Sequence, residues 1–113
     1  MKLKEITKLL SATVLCGGGL PDEEYHAAVA SDLMSDVLTI DGEPLLLTGL
    51  CNVQTLRTCE MLGLRVVVLV RGKKPTDDML ALASENDVTL LGTPLSMYHA
   101  CGRLFEAGLK PGK

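Results

Sequence analysis

Aromatic side chains are almost absent from this sequence. Only 3% of the 113 residues are aromatic and none is tryptophan, although 47% are hydrophobic. A core must therefore be built from leucine, valine, alanine and methionine, and a hydrophobic content this high excludes a disordered chain. The length predicts a single domain over residues 1–113, large enough to fold without disulfides or metal ions.

The sequence also lacks a basic excess and a long apolar run. It contains 11 Lys and Arg against 14 Asp and Glu, which gives a net charge of -3. A chain with this net negative charge has no positive electrostatic field to attract a phosphate backbone, so nucleic-acid binding is disfavoured. No stretch approaches the ~18–20 apolar residues that cross a bilayer, and the charged N-terminus is unlike a signal peptide. We therefore expect a cytoplasmic protein with no membrane contact.

Metal-binding motifs are missing as well. The four cysteines (Cys16, Cys51, Cys59 and Cys101) form no Cys-x-x-Cys pair and have no histidine at zinc-ligand spacing. This pattern predicts reduced thiols, no metal and no other cofactor. Cys51 falls between a strand and a helix, where a helix N-terminus can lower the pKa of a thiol. Burial as a small apolar side chain is the alternative, and the one we favour.

Three strand-then-helix units follow one another in the second half of the chain. Their apolar strands are expected at 45–49, 65–70 and 88–91, with Gly49, Gly72 and Gly92 closing them at intervals of roughly twenty residues. Successive units of this kind predict parallel strands with right-handed crossovers. The uniformly apolar middle strand must be covered on both faces. We therefore expect an α/β fold: a three-layer α/β/α domain with a mostly parallel sheet of about five strands.

Polar residues mark the starts of the helices. Asn52, Thr76 and Thr93 are expected to cap the helices of the three units, with Pro94 in the first position of the last helix. In the first half, helical spacing predicts a helix over 3–10, and short apolar runs predict strands at 12–16 and 26–30. Ser35 is expected to cap a helical turn. The glycine triplet 17–19 is interpreted as a turn, because no phosphate-loop Lys-Ser/Thr follows it.

A ligand site is expected at the carboxyl ends of the strands, where loops vary and helix N-termini present unpaired N–H groups. Arg71 with Lys73 and Lys74 forms the basic cluster of this edge and suits a phosphate or carboxylate group. Capping and turn formation would equally explain many of its polar residues, and a solvated loop would explain the lysines. The candidate ligand-binding residues are Ser31, Asp32, Thr48, Gly49, Asn52, Thr55, Arg71, Gly72, Lys73, Thr93 and Ser96.

The last helix carries more apolar surface than one contact requires. One stripe is formed by Leu95, Tyr98, Cys101 and Phe105, and a second by Met97, Ala100, Leu104 and Ala107. One stripe should face the sheet, and the other favours a symmetric homodimer. The alternative is a helix buried between layers. No residue pattern in the sequence indicates a catalytic triad or a carboxylate pair.

Three segments together resemble a known family. Leu-Leu-Leu-Thr-Gly-Leu, Val-Val-Val-Leu-Val-Arg-Gly-Lys-Lys-Pro and Leu-Leu-Gly-Thr-Pro-Leu-Ser-Met-Tyr are similar to the DRTGG domain, and the resemblance extends over nearly the whole chain. The naming motif is incomplete, since Thr48 and Gly49 are followed by Leu50 instead of a second glycine. In addition, Ser31-Asp32-Leu33 lacks the arginine.

The resemblance implies a regulatory role. It is strongest to the stand-alone bacterial form, which is labelled HPr serine-kinase-like and found near iron-hydrogenase subunits. Related domains occur in regulated pyrophosphatases, in phosphotransacetylases and in the non-catalytic part of HPr kinase. We therefore expect a non-catalytic, dimeric module that senses a small anionic metabolite or a nucleotide. Docking on a hydrogenase-type redox enzyme is the alternative, and phosphotransfer ranks last because the sequence has no phosphate-binding Gly-x-x-x-x-Gly-Lys motif.

Overall fold

Five helices and six strands lie along the residues that the computed structural model describes, 1–17 and 21–112, and they alternate from β2 onward. The helices are α1 (Leu3–Leu9), α2 (Met34–Val37), α3 (Val53–Leu62), α4 (Asp77–Glu85) and α5 (Met97–Glu106). The strands are β1 (Thr13–Cys16), β2 (Ala27–Ala30), β3 (Leu45–Thr48), β4 (Val66–Leu69), β5 (Thr89–Gly92) and β6 (Lys110–Pro111). The expected turn at the glycine triplet involves Gly18 and Gly19, which lie outside the described residues.

All six described strands form one sheet, in the order β1-β5-β4-β3-β2-β6. Every neighbouring pair is parallel except β1 and β5, which are antiparallel. The parallel βα units predicted from the glycine spacing are thus confirmed. The expectation of about five strands missed β6, a two-residue edge strand that contains a proline and carries no sequence signal of its own.

Alternate residues of the central strands face opposite sides of the sheet and build two cores. In β4, Val66 and Val68 belong to the first core, which α1 and α5 cover. Val67 and Leu69 belong to the second core, which α2, α3 and α4 cover. Burial on both faces explains why this strand is uniformly apolar. The expected three-layer α/β/α arrangement is confirmed.

The direction of the crossovers explains the layers. From β2 to β5 the chain steps along the sheet in one direction, so right-handed connections place α2, α3 and α4 on the same face. After β5 the chain returns across the sheet to β6, and α5 lies on the opposite face. Two helices, α1 and α5, therefore cover one face of the sheet, and three helices, α2, α3 and α4, cover the other.

Helix capping follows the sequence at two sites and departs from it at two. Asn52 and Thr76 accept hydrogen bonds from the first-turn N–H groups of α3 and α4, as predicted. The prediction for Thr93 is wrong, because Ser96 caps α5. The prediction for Ser35 is also wrong, since Leu33 occupies the N-cap position of α2 without a side-chain hydrogen bond. In both cases several polar residues compete for the role, and sequence alone did not choose correctly.

Tyr25 is a buried tyrosine of the first core. Burial, followed by the negative charge of Glu23, raises the pKa of its phenol to about 12. In the unfolded chain that pKa is about 10, so the contribution of the neutral phenol to stability is complete below about pH 10 and is lost as the pH rises through 12. We expect Tyr25→Phe to flatten the decline in the free energy of unfolding over this range, measured by urea titration. The exposed Tyr98 provides the control, and an equal flattening in Tyr98→Phe would contradict the assignment.

Within the described residues, no helix has the length and apolar character to cross a bilayer.

Candidate anion-binding edge

The carboxyl ends of β2, β3, β4 and β5 lie side by side, because these four strands are parallel neighbours. The predicted ligand-binding residues lie at these strand ends, in the loops that follow them and, for Thr55, in the first turn of α3. Gly49, Gly72 and Gly92, which end or follow these strands, therefore lie at one edge of the sheet, as expected from the repeated units. The contacts within this edge divide the candidates into a central cluster and a surrounding scaffold.

A carboxylate is the centre of the cluster. Asp32 Oδ1 accepts hydrogen bonds from the Thr48 hydroxyl at 3.2 Å and from the Gly49 backbone N–H at 2.5 Å. The second oxygen, Oδ2, lies 3.7 Å from Arg71 Nη2. Three donors, from the end of β3 and from the β4–α4 loop, thus converge on one negatively charged group. We refer to Thr48, Gly49 and Arg71 as the cradle.

Glycine at position 49 permits the close approach of Arg71. A Cβ atom at this position would collide with the Arg71 guanidinium and would lie 3.3 Å from Asp32 Oδ1. The absence of a side chain lets the guanidinium lie directly over the backbone of residue 49. Leu50 stands where the DRTGG motif has a second glycine, and its side chain packs against the second core. An aspartate and an arginine therefore meet Thr48-Gly49 in space, although neither is adjacent in the sequence.

The turn after β4 fixes the position of Arg71. Arg71 and Gly72 both have left-handed backbone conformations, with φ of 62° and 66°. A non-glycine residue in this region costs about 1 kcal/mol or more, and such residues cluster at functional sites. The Arg71 N–H donates to the Leu95 carbonyl at 2.8 Å, and the Gly72 N–H donates to the Thr93 carbonyl at 2.9 Å.

These two hydrogen bonds also bridge the loops that follow β4 and β5. The chain leaves β4 toward α4 on one face and leaves β5 toward α5 on the other. In open parallel sheets, ligands bind at such a switch point. Here the backbone of residues 71–72 is tied to residues 93 and 95 across that gap. The cradle lies on the β3 side of this gap, at the ends of β3 and β4.

Three of the predicted hydroxyl groups are buried and already engaged. The Thr48 hydroxyl accepts from the Leu50 N–H while donating to Asp32. The Thr55 hydroxyl donates to the Leu50 carbonyl at 2.7 Å. The Thr93 hydroxyl donates to the Leu10 carbonyl at 2.6 Å and accepts from the Leu95 N–H. Thr55 and Thr93 thus hold the loops of the edge in place.

Three other candidates serve their own local backbone. Ser31 accepts a hydrogen bond from the Leu33 N–H at 3.0 Å. Asn52 and Ser96 accept from the first turns of α3 and α5. These contacts match the capping and turn roles weighed for such residues. Of the predicted set, Asp32, Thr48, Gly49 and Arg71 meet one another at this edge, and Gly72 and Lys73 follow Arg71 in the same loop.

The lysines of the β4–α4 loop are exposed, and Cys51 lies beside them. The Cys51 thiol donates to the Lys74 carbonyl at 3.1 Å. Burial raises the pKa of this thiol, and the positive charge of Lys73 opposes that shift without reversing it. The direction of this shift agrees with the alternative of a buried thiol that packs as a small apolar side chain. Among the described residues no group of three His, Cys, Asp or Glu is arranged to hold a metal ion.

An apolar groove of about 710 Å³ lies between α5 and the β2–β6 edge of the sheet. Ala28 and Ala30 of β2 form part of its lining, and their small side chains leave space beneath α5. Helix α5 forms one wall of the groove, and its Tyr98 and Phe105 side chains are 91% and 71% exposed. The apolar stripe on α5 was predicted from the sequence, but the groove was not. The Ala-Ala-Val-Ala composition of β2 was the signal that could have shown it.

The fold and the edge together define a small parallel α/β domain with a polar cluster beyond its strands. No family model matches the sequence, and no curated protein matches it significantly. A similar fold occurs in the crystal structure of the CBS and DRTGG domains of the regulatory region of Clostridium perfringens pyrophosphatase, complexed with the activator diadenosine tetraphosphate. The TM-score is 0.73 at 18% sequence identity. The match covers 97% of this chain and 47% of that one.

The comparison confirms the resemblance at the level of the fold. The chain has a DRTGG-like α/β fold and spans about half the length of the pyrophosphatase fragment.

Proposed function

We propose that this protein is a non-catalytic regulatory module that binds a small anionic metabolite or a nucleotide at the carboxyl edge of its sheet. The cradle carries the proposal, because its hydroxyl, N–H and guanidinium groups already surround a carboxylate. Charge-assisted hydrogen bonds of this kind recognise phosphate as well as carboxylate. The exposed Lys73 and Lys74 add positive charge to the loop that carries Arg71.

The pyrophosphatase fragment supports the nucleotide as a ligand class. Its regulatory region is complexed with a diadenosine tetraphosphate activator, and half of that chain shares the fold of this protein. A ligand that binds only the folded state raises the melting temperature, by an amount that corresponds to about 2.7 kcal/mol at a concentration of 100 Kd. The test is a thermal-shift and calorimetric titration with AMP, ATP, diadenosine tetraphosphate and pyrophosphate.

Stabilisation by at least one of these anions, in a stoichiometric complex, is the expected result. A complete lack of binding by all of them would overturn the proposal. Phosphate release or transfer in the same mixtures would overturn its non-catalytic part.

We further propose that the module acts as a homodimer through the groove beside α5. Ala100 and Leu104 are buried against the sheet, so the exposed Tyr98 and Phe105 form a separate apolar surface. A two-fold arrangement would place these rings of each copy against the groove of the other, removing apolar surface from water on both sides. Docking of a redox-enzyme subunit on the same surface is the alternative occupant.

Replacing Phe105 with glutamate is expected to convert a dimer to a monomer, because a charge would be buried at the centre of the interface. Analytical ultracentrifugation at about 100 μM is the measurement. Met61→Glu is the matched control, since Met61 is 74% exposed on α3, across the sheet from α5. A wild-type protein that is monomeric at this concentration would contradict the dimer and leave another protein as the occupant to test.

A further inference from the structure

The carboxylate of Asp32 occupies the position that the proposed function assigns to a ligand anion. It takes the Gly49 N–H and the Thr48 hydroxyl on one oxygen and faces Arg71 with the other. These donors are the groups that an entering phosphoryl or carboxylate group would need. An external anion cannot share them with Asp32 without placing two negative charges in contact, which is unfavourable at this separation.

We propose that Asp32 is a built-in competitor, which an anionic ligand must displace from the cradle before it can bind. The inference rests on the proposed function and adds its regulation. The cradle is then never empty: it holds either the internal carboxylate or the external ligand. Exchange of one anion for the other is the event that the module senses.

The contacts of Asp32 are of a strength that permits exchange. Its side chain and that of Arg71 are each 49% exposed, so water and salt screen their attraction. Ion pairs this exposed contribute little to stability. A side-chain carboxylate carries a single charge, whereas a terminal phosphate carries nearly two and has three acceptor oxygens. The phosphate can therefore hold the same donors more strongly, and Lys73 and Lys74 lie on the same loop as Arg71.

Displacement has a structural consequence for the chain that carries Asp32. Residue 32 lies between the end of β2 and the start of α2. Its neighbour Ser31 is hydrogen-bonded to the Leu33 N–H, and Leu33 is the N-cap residue of α2. Release of the carboxylate would remove the side-chain contacts of Asp32 with the ends of β3 and β4, while the Ser31 N–H stays hydrogen-bonded to the Leu47 carbonyl of β3. Ligand binding is thereby coupled to the exposed surface around Leu33, which is 58% exposed.

The competitor also sets the class of ligand. Competition from Asp32 lowers the affinity for every anion by the same factor. Singly charged carboxylates, which bind most weakly, are therefore the first anions to lose measurable binding. Anions with several charges, which engage Arg71 and the neighbouring lysines together, still bind. The ligand class inferred for this site is a phosphate ester or polyphosphate with two or more negative charges.

Asp32→Asn tests the inference, because the amide keeps the Oδ1 acceptor and the shape of the side chain while removing the charge. We expect this variant to bind pyrophosphate about tenfold more tightly than the wild type at 0.15 M salt. Titration followed by amide NMR gives the affinity, and the signals of Gly49 and Leu33 should shift. Asp32→Ala should also bind more tightly, and its amide spectrum shows whether it is folded.

Asp36→Asn is the control, since it removes the same charge from an exposed side chain four residues away. An Asp36→Asn variant that gains as much affinity as Asp32→Asn would overturn the inference in favour of a general charge effect. Wild-type binding of pyrophosphate that is unchanged or weakened in Asp32→Asn would also overturn it, while leaving the proposed function in place. Failure of the wild type and of every variant to bind any of the tested anions would overturn both.

Discussion

Replacing Arg71 with glutamine is expected to weaken anion binding at least tenfold while leaving the protein folded. A charge-assisted hydrogen bond contributes about 1.5–3 kcal/mol, and the amide that replaces the guanidinium has no charge to offer. Stability should change by less than about 1 kcal/mol, because the ion pair with Asp32 is half exposed. The turn is retained, since its anchor to Leu95 is made by the backbone N–H of residue 71. Calorimetric titration with pyrophosphate and urea unfolding measure the two quantities.

Arg65→Gln is the matched control for this variant. Arg65 is an exposed arginine immediately before β4, at the opposite end of the same strand from Arg71. Both substitutions change the net charge equally, so any general electrostatic attraction of anions is reduced alike in the two variants. Equal losses of affinity in Arg65→Gln and Arg71→Gln would contradict a site at the carboxyl edge.

Replacing Thr93 with valine is expected to have the reverse effect, a large loss of stability with anion affinity preserved. Valine keeps the shape of the side chain but removes the hydroxyl that bonds the Leu10 carbonyl at 2.6 Å. Thr93 is 1% exposed, so water cannot replace the lost partner. An unsatisfied buried carbonyl costs about 1–3 kcal/mol. The melting temperature should fall by several degrees, about 4–8 °C for each kcal/mol in a small domain.

Thr89→Val provides the comparison for this second variant. Thr89 lies on the same strand, β5, and is nearly as buried, but its hydroxyl forms no hydrogen bond with the described part of the chain. The same substitution should therefore leave the melting temperature nearly unchanged there. Similar losses at the two positions would show that the bond to Leu10 contributes little. A loss of pyrophosphate binding in folded Thr93→Val would show that Thr93 belongs to the ligand site.

The contrast between Arg71 and Thr93 shows what residue type alone leaves open. Both were expected to face a ligand because both follow a strand at the same edge of the sheet. The structure directs the Arg71 side chain across Gly49 to Asp32 and the Thr93 side chain inward to α1. A threonine after a strand suits a cap, a ligand contact or an internal bond equally well. Its partner lies 83 residues away, and no local pattern specifies such a contact.

The cradle also shows that contacts between side chains could not be predicted from the sequence. Asp32, Thr48, Gly49 and Arg71 were all candidates, but their mutual contact was not predicted. Gly49 was expected to close a strand, which it does. That it must also accommodate a guanidinium is a consequence of the side-by-side packing of β3 and β4. The position of each residue at a strand end was predictable; the direction of each side chain was not.

The sequence by itself determined the architecture of this protein. Runs of apolar residues that end at a glycine specify parallel strands covered by helices. The residue that caps the following helix was predicted correctly at two of three places. Both signals could be read because hydrophobic periodicity and capping act over a few residues. Only the tertiary structure decided which polar groups meet. The direction of the crossovers placed α5 on the face that α1 also covers. The order of the strands brought Asp32 close to Arg71 and let the backbone of Arg71 bond to Leu95. These contacts join distant segments, so they are fixed by the packing of the whole sheet and not by any segment of the chain.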